Sequence, residues 1–219
     1  MKTVAQSVEQ ILRAQPFLEE VLQRSIINFS ALAEELQPEI AAMLKKPVKT
    51  GAIMMALRRY HSPVGVSNNQ KLKQAFKNLG DITVRSNISA FTFKNTNTLV
   101  NCHGKLLSYV SANTHLFYAF TRGILESNIM ISGSETEKVN SFFEAEHLLM
   151  QREALAAISV QLPQDNFKVA GLYYQIFKHL AWQNIALYEV VSTTNEFTVL
   201  VEEDLVEQAF AAIKGLKAQ

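Results

Sequence analysis

Two short segments near the end of the sequence carry residue types suited to holding a small molecule. The first leads into a predicted helix over residues 169–184, where free N–H groups and the positive end of the helix dipole favour a carboxylate. The second follows a predicted strand and offers hydroxyls, an amide and a carboxylate able to accept an ammonium group. The predicted ligand-binding residues are Val169, Ala170, Gly171, Leu172, Ser192, Thr193, Thr194, Asn195 and Glu196.

Each segment also has a purely structural interpretation. Gly171 suits a turn that requires only a small residue, and this alternative weighs as much as ligand contact. Residues 193–195 are typical of a simple hairpin turn, and Glu196 of a solvated side chain. Only the expected convergence of both segments on one edge makes a binding site worth testing.

The other reactive residue types form no catalytic or metal-binding pattern. The histidines are scattered without a pair at metal-ligand spacing, and Cys102 is the single cysteine. No glycine-rich nucleotide loop, GxSxG elbow or HExxH motif occurs. We therefore predict no catalytic residue, no metal and no cofactor. The five histidines are His61, His103, His115, His147 and His179.

The composition predicts a folded globular protein in a reducing compartment. Of the 219 residues, 48% are hydrophobic and 19% are charged, which is too apolar for disorder. No apolar run approaches the roughly 20 residues that cross a bilayer. One cysteine cannot form an internal disulfide. These features predict a cytoplasmic protein without a membrane segment.

The charge is unevenly distributed along the chain. Residues 1–80 carry eleven Lys/Arg against six Asp/Glu, whereas residues 81–219 carry ten against fourteen. The N-terminal part is therefore the candidate for binding a polyanion such as DNA. Solvated charges on a dimerisation or docking module are an equally weighted alternative. The residues proposed to contact phosphates are Lys45, Lys46, Lys49, Arg58 and Arg59.

Residues 1–62 predict a bundle of short helices resembling a helix-turn-helix domain. One helix ends before Pro16 and another follows it. Ser30 is placed to cap a third helix, Gln37-Pro38-Glu39 to break it, and Thr50 to cap a helix that ends at Tyr60. Residues 63–80 begin with a loop composition and are predicted to be a linker.

After Gly80 the pattern changes to an α+β one that occurs twice. Residues 81–152 and 153–219 each predict the order βαββα(β), and matched strands are offset by 67 residues (Ala90 to Ala157) and 71 residues (Phe117 to Tyr188). Two right-handed crossovers place both helices of such a ferredoxin-like unit on one face of its sheet. The other face is left to pair with a second sheet.

The second copy resembles the ACT domain, in particular the tandem regulatory pair of aspartokinases. The residues that carry the resemblance are Gly171, Ile176-Phe177-Lys178-His179-Leu180, Asn184-Ile185-Ala186, Ser192-Thr193, Glu196 and the strand over residues 197–201. The sequence departs from the aspartokinase pattern by one extra residue between Ser192-Thr193 and Glu196. The first copy has Asn95-Thr96-Asn97-Thr98 where the family has a glycine turn.

The resemblance implies that the chain binds an effector, usually an amino acid, at the boundary of paired modules. A kinase domain does not fit into about eighty mostly helical residues, so we expect a regulator without its own activity. We expect a homodimer formed through the ACT-like sheets. Two functions fit: a ligand-sensing transcriptional regulator with a DNA-binding N-terminal domain, and a regulatory subunit that docks onto a separate metabolic enzyme.

Overall fold

The computed structural model describes residues 2–23, 26–60 and 65–218. The chain divides into two compact units, Met1–Ser67 and Asn68–Gln219. His61 and the predicted domain boundary at residue 62 lie outside the described residues.

The first unit is helical over its described residues. Thr3 caps the first helix, α1, in a reciprocal capping box with Gln6, which satisfies two backbone N–H groups of the first turn. The predicted break at Pro16 is confirmed, since α1 ends at Ala14 and α2 begins at Pro16. The helices are α1 (Val4–Ala14), α2 (Pro16–Gln23), α3 (Phe29–Leu44) and α4 (Thr50–Arg59). Their shared core includes Val8, Leu12, Leu32, Leu36, Ile40, Ile53 and Leu57.

The prediction that Pro38 breaks a helix is wrong, because α3 continues through it. Leu36 and Ile40 are buried on the inner face, whereas Pro38 and Glu34 are exposed. The carbonyl of Glu34, which loses its N–H donor to the proline, therefore lies on the side of the helix that water reaches. Burial of the inner face keeps the helix intact.

Two predicted helix caps are also corrected. Asn28 rather than Ser30 caps α3, and its Oδ1 accepts hydrogen bonds from the backbone of Ser30 and Ala31. Thr50 is the first helical residue of α4, and the capping position is Lys49. Asn28 is as good a cap as serine, so the choice depends on where the chain enters the helix.

The second unit contains a six-stranded antiparallel sheet, which confirms the α+β prediction. A further helix, α5 (Gly65–Lys77), leads from the first unit into it. The remaining elements are β1 (Ile82–Lys94), α6 (Leu99–Ser111), β2 (Tyr118–Arg122), β3 (Glu126–Ser132), α7 (Thr136–Phe142), β4 (Leu148–Gln161), α8 (Leu172–Trp182), β5 (Glu189–Ser192), β6 (Glu196–Glu202) and α9 (Val206–Gly215).

The strand order is β2-β3-β1-β4-β6-β5, and both central strands serve both copies of the repeat. The late part of β1 pairs with β3 and with the early part of β4, while the early part of β1 pairs with the late part of β4. Residues 82–85 thus occupy the fourth-strand position beside the second copy. The stretch 147–151 and the strand 155–162, predicted separately, are one strand, so the predicted boundary at 152 falls inside β4.

Two bends allow β1 and β4 to serve both copies. Asn87 and Ala154 each have φ of 54°, and the β1–β4 register shifts beside them. These positions are 67 residues apart, the offset at which the two copies match in sequence. A left-handed residue in a strand produces a local bend without ending the ladder.

The sheet curls so that the non-helical faces of its two halves meet. Ile88, Met130 and Leu200 lie in one buried cluster on that face, and Ala119 of β2 and Val191 next to the end of β5 pack against it. β2 and β5 are the outermost strands of the sheet. The predicted pairing of the free sheet faces therefore occurs within a single chain.

Among the described residues, no helix combines the length and apolarity required to cross a membrane.

Candidate functional site

The first predicted ligand-binding segment forms the start of α8. Gly171 occupies the capping position with φ of 91°, a conformation that strains any residue with a Cβ atom. Leu172 is buried in the core beneath the helix, and the half-buried Val169 packs against that core. Ala170 and Gly171 are exposed.

The second segment is the hairpin that joins β5 to β6. The backbone N–H of Thr193 donates to the carbonyl of Glu196 across the turn (2.8 Å). Buried Asn166 donates to the carbonyl of Thr194 (2.6 Å), and the N–H of Leu162 donates to the carbonyl of Asn195 (2.8 Å). Both partners belong to the loop between β4 and α8. This loop fixes the hairpin in one position.

The two segments are neighbours. The hydroxyl groups of Tyr173 and Ser192 are 3.1 Å apart, and the Tyr173 ring packs against Phe197. This contact joins the first turn of α8 to the end of β5. Three of the nine predicted residues, Thr193, Asn195 and Glu196, line one cleft in the second unit.

That cleft has a volume of about 370 Å³ and lies at one end of the sheet. Its lining residues are Asp81, Thr83, Ser159, Gln161, Thr193, Asn195 and Glu196. Two cross-strand pairs organise it: Thr83 is paired with Ser159, and Gln161 with Glu196. Ser159 and Thr198, which also face each other across the strands, share a hydrogen bond of 2.7 Å. The sheet is therefore polar at this end and apolar at its centre.

The chemistry of the cleft suits a ligand with an ammonium group and an oxygen acceptor. Asp81 and Glu196 supply carboxylates, and no lysine, arginine or histidine is among the lining residues. Nδ2 of Asn195 is buried without a hydrogen-bond partner among the described residues. An unmatched buried donor costs roughly 1–3 kcal/mol, so an acceptor placed there is favoured.

Sequence reasoning missed four lining residues: Asp81, Thr83, Ser159 and Gln161. All four stand in stretches predicted as strands, where a polar residue that alternates with apolar ones normally faces solvent. The antiparallel pairing of the start of β1 with the end of β4 brings them to the hairpin. Their position at the ends of predicted strands was the one indication of a site. The pairing joins residues about 80 apart in the sequence, so no local pattern predicts it.

The corresponding end of the first copy exposes more apolar side chains. Its hairpin exposes Ile124 (95%) and Leu125 (79%), and the start of β4, which is separated from β3 by β1, exposes Leu148 and Met150. Asn95 holds this hairpin by donating to the carbonyls of Gly123 (2.9 Å) and Ile124 (3.1 Å). The backbone N–H of Asn95 also donates to the carbonyl of Leu125, as that of Leu162 does to Asn195 in the second copy. The first copy therefore keeps the hairpin and polar residues at the paired strand positions, Lys94 and Glu126, but has apolar side chains at the tip of the hairpin.

A larger cleft, of about 480 Å³, lies beside the bends at Asn87 and Ala154. Three carboxylates line it, those of Glu137, Glu153 and Glu203. Neither predicted segment reaches it. We assign it no ligand.

The residues proposed to bind DNA are exposed but lie in two groups. Lys45, Lys46 and Lys49 surround the turn between α3 and α4, while Arg58 and Arg59 are at the other end of α4, about 13 Å away at 1.5 Å per residue. The Arg58 guanidinium lies over the Phe29 ring, 5.7 Å from its centre.

The charge excess of the N-terminal part is smaller in the folded unit than along the sequence. Lys71, Lys73 and Lys77 lie on α5 within the second unit. Residues 1–67 then carry eight Lys/Arg against six Asp/Glu, a net charge of +2. The charge argument for a polyanion surface is correspondingly weaker.

Cys102 and His103 sit in the first copy, away from the cleft. The Cys102 thiol is 3.6 Å from Oε1 of Glu146, and partial burial raises its pKa, which disfavours the reactive thiolate. His103 stacks on the Phe120 ring with centres 3.7 Å apart. Among the described residues, no three His, Cys, Asp or Glu side chains are grouped to hold a metal ion.

Solved aspartokinase structures share this fold. The aspartate kinase of Clostridium acetobutylicum matches with a TM-score of 0.51 and 16% identity over 62% of this chain. The aspartokinase alpha and beta subunits match with a TM-score of 0.51 and 11% identity, over 64% of this chain and 99% of the matched one. The ligand-free regulatory subunit of aspartate kinase from Thermus thermophilus has a TM-score of 0.49 and 9% identity, over 62% of this chain and 95% of its own.

The likeness extends to the fold and is partial. This chain covers 34% of the length of the C. acetobutylicum enzyme. No protein-family profile and no curated sequence matches it. The fold of the second unit, with its two copies of the repeat, is thus that of the aspartokinase structures, in agreement with the ACT-like fold predicted from the sequence.

Proposed function

We propose that this protein is a non-catalytic regulator that binds an amino acid in the cleft of its second unit. The cleft is the observation that carries the proposal. It combines two carboxylates, several hydroxyls and a buried unpartnered amide donor on an ACT-like fold. The predicted site residues Thr193, Asn195 and Glu196 contact the ligand directly in this proposal.

The arrangement of groups suggests how the ligand is oriented. Its ammonium group lies between Asp81 and Glu196, and its carboxylate accepts from Asn195 Nδ2 and from the hydroxyl of Thr193. Two carboxylates without a basic neighbour in the lining favour a ligand with net positive charge. L-lysine is the simplest amino acid of that kind. Ser192, Thr194 and residues 169–172 have no direct role in this orientation of the ligand.

Thermal-shift measurements with each of the twenty amino acids test the proposal. A ligand at 100 times its dissociation constant stabilises the fold by about 2.7 kcal/mol. For a chain of this length that raises the unfolding midpoint by roughly 5–10 °C. Basic amino acids should give the largest shift and glutamate the smallest. The proposal fails if none of the twenty moves the midpoint.

A second candidate function is that of a regulatory subunit docked onto a separate metabolic enzyme. The tip of the β2–β3 hairpin exposes Ile124 and Leu125, and the start of β4 exposes Leu148 and Met150, and exposed apolar surface of this kind is typical of protein-binding sites. Co-purification of an amino-acid biosynthetic enzyme from the native host tests this function. Loss of the enzyme with Leu125→Asp but not with Thr194→Asp, on the equivalent hairpin, would support it.

DNA binding and homodimer formation are further parts of the proposal. A gel-shift titration at low salt tests the former, since phosphate contacts by Lys45, Lys46, Lys49, Arg58 and Arg59 weaken steeply as salt rises. The absence of any salt-sensitive shift would reject DNA binding. Sedimentation measurements on the full chain test the dimer.

A further inference from the structure

Helix α5 is built into the second unit although the sequence predicts a linker over residues 63–80. Ala75, Phe76 and Leu79, the last just beyond the helix, are at least 95% buried, and Leu72 is 91% buried. They share a core with Leu172 of α8 and Leu216 at the end of α9. The exposed face of the helix carries Lys71, Lys73 and Lys77. Residues 72–79 thus form an amphipathic segment whose apolar side is buried in the core of the second unit.

The end of α5 is fixed to a residue that lines the cleft. The N–H of Gly80 donates to the carbonyl of Gln161 (2.9 Å), and the N–H of Gln161 donates to the carbonyl of Asp81 (3.0 Å). Lys217 Nζ donates to the carbonyl of Gly80 (2.5 Å). A Cβ atom on Gly80 would lie 2.9 Å from Cβ of Gln161, which cannot rotate away as the end of that side chain can, so the close approach favours glycine.

The other part of α5 contacts the start of α8. Cδ2 of Leu72 is 3.9 Å from the position that a Cβ atom on Gly171 would take. Leu72 also shares the buried core with Leu172, the residue after Gly171. The helix leads directly into Asp81 and Thr83 of the cleft. Thus α5 and its immediate continuation lie beside both predicted ligand-binding segments.

We propose that a ligand in the cleft stabilises the packing of α5 against the rest of the second unit. The ligand would thus fix the helix that follows the helical unit in the chain. This inference rests on the proposed function, because it requires a ligand that binds to Asp81 and Glu196 at the same time. Binding fixes Asp81, and Asp81 with Gln161 fixes Gly80 and the end of the helix. When the cleft is empty, α5 detaches more often, because its core contacts and the Gly80 hydrogen bonds then hold it without the added stabilisation from the ligand.

Hydrogen exchange on the full chain, with and without L-lysine at saturating concentration, tests the inference. Backbone amides of residues 72–79 should exchange at least five-fold more slowly with L-lysine, in line with typical coupling between sites. Amides of α7, which is in the first copy, serve as the internal control and should be unchanged. Binding is measured in parallel by calorimetry.

The outcomes separate the inference from the proposed function. Binding with slower exchange in α5 supports both. Binding with unchanged exchange in α5 overturns the proposed coupling between the ligand and α5, and it leaves the proposed function intact. If calorimetry and the thermal-shift screen detect no amino acid, both fall.

A variant pair tests the coupling from the opposite direction. Linkage requires that a looser α5 weakens ligand binding by the same factor by which the ligand tightens α5. Leu72→Ala should therefore raise the dissociation constant for L-lysine in proportion to the fraction of chains in which α5 is detached, up to the factor by which the ligand slows exchange in α5, whereas Lys73→Ala on the exposed face should leave it unchanged. Equal affinity in both variants, when exchange shows that α5 is mostly detached in Leu72→Ala, would overturn the inference. Exchange in the unaltered chain decides the question if Leu72→Ala does not fold.

Discussion

Nδ2 of Asn128 on β3 donates a hydrogen bond of 2.7 Å to Oε2 of Glu189 on β5. These strands lie four positions apart in the sheet, a separation of about 19 Å if the sheet were flat. The hydrogen bond therefore exists only because the sheet curls until its two halves face each other. It borders the buried cluster that joins the two copies of the repeat.

We predict that Asn128→Ala lowers the free energy of unfolding by about 1–2 kcal/mol, because a half-buried carboxylate oxygen loses its donor. Glu189→Gln keeps an oxygen that can accept from Asn128 and should cost less than half as much. Urea unfolding of both variants measures the difference. An Asn128→Ala protein as stable as the unaltered chain would show that apolar packing alone holds the two halves together.

The carboxylates of the cleft should determine ligand affinity. Asp81→Asn and Glu196→Gln each remove one negative charge next to the proposed ammonium position, and each should weaken L-lysine binding about ten-fold, equivalent to about 1.4 kcal/mol. Glu126→Gln is the matched control, since Glu126 pairs with Lys94 in the first copy as Glu196 pairs with Gln161 in the second. Titration calorimetry measures all three. Equal affinities would place the ligand elsewhere.

The sequence was informative where local chemistry determines the structure. Gly171 opens a helix and residues 193–195 form a hairpin turn, as predicted, because glycine and short polar residues impose these conformations by themselves. The alternation of strands and helices in both copies likewise follows from local periodicity.

Features that depend on distant packing were not predictable in this way. Asn87 and Ala154 adopt left-handed backbone without being glycine, so nothing local showed that β1 and β4 continue through both copies. Asp81 reaches the cleft through pairing with a strand about 80 residues away. Pro38 remains helical because the buried face of α3 outweighs its local preference.

Two glycine-to-alanine substitutions should change the free energy of unfolding in opposite directions. The first tests the backbone at the start of α8, and the second is a comparison within α6. Gly171→Ala should destabilise the chain by about 1–2 kcal/mol, because φ of 91° is unfavourable for an L-residue while Leu72 leaves the new Cβ atom enough room. Gly104→Ala, within α6 and with no atom within 4 Å of a new Cβ, should stabilise it by about 0.5–1 kcal/mol. Thermal and urea unfolding measure both. A neutral Gly171→Ala would mean that the turn relaxes.

Stability should fall in mild acid because of His103. Burial lowers the pKa of this imidazole below its usual value of about 6.5. The unfolded chain then takes up a proton at a higher pH than the folded chain does. The free energy of unfolding therefore decreases as the pH falls through about 6.5 towards the lowered folded-state pKa.

The variant His103→Phe isolates this effect. It keeps a ring to stack on Phe120 and removes both the titration and the buried Nε2 that has no partner among the described residues. Between pH 7.5 and 5.5 the unaltered chain should lose more stability than His103→Phe, and His147→Gln, at an exposed position, should behave like the unaltered chain. Urea unfolding at the two pH values measures the losses. Equal losses in the unaltered chain and His103→Phe would show that other groups cause the acid sensitivity.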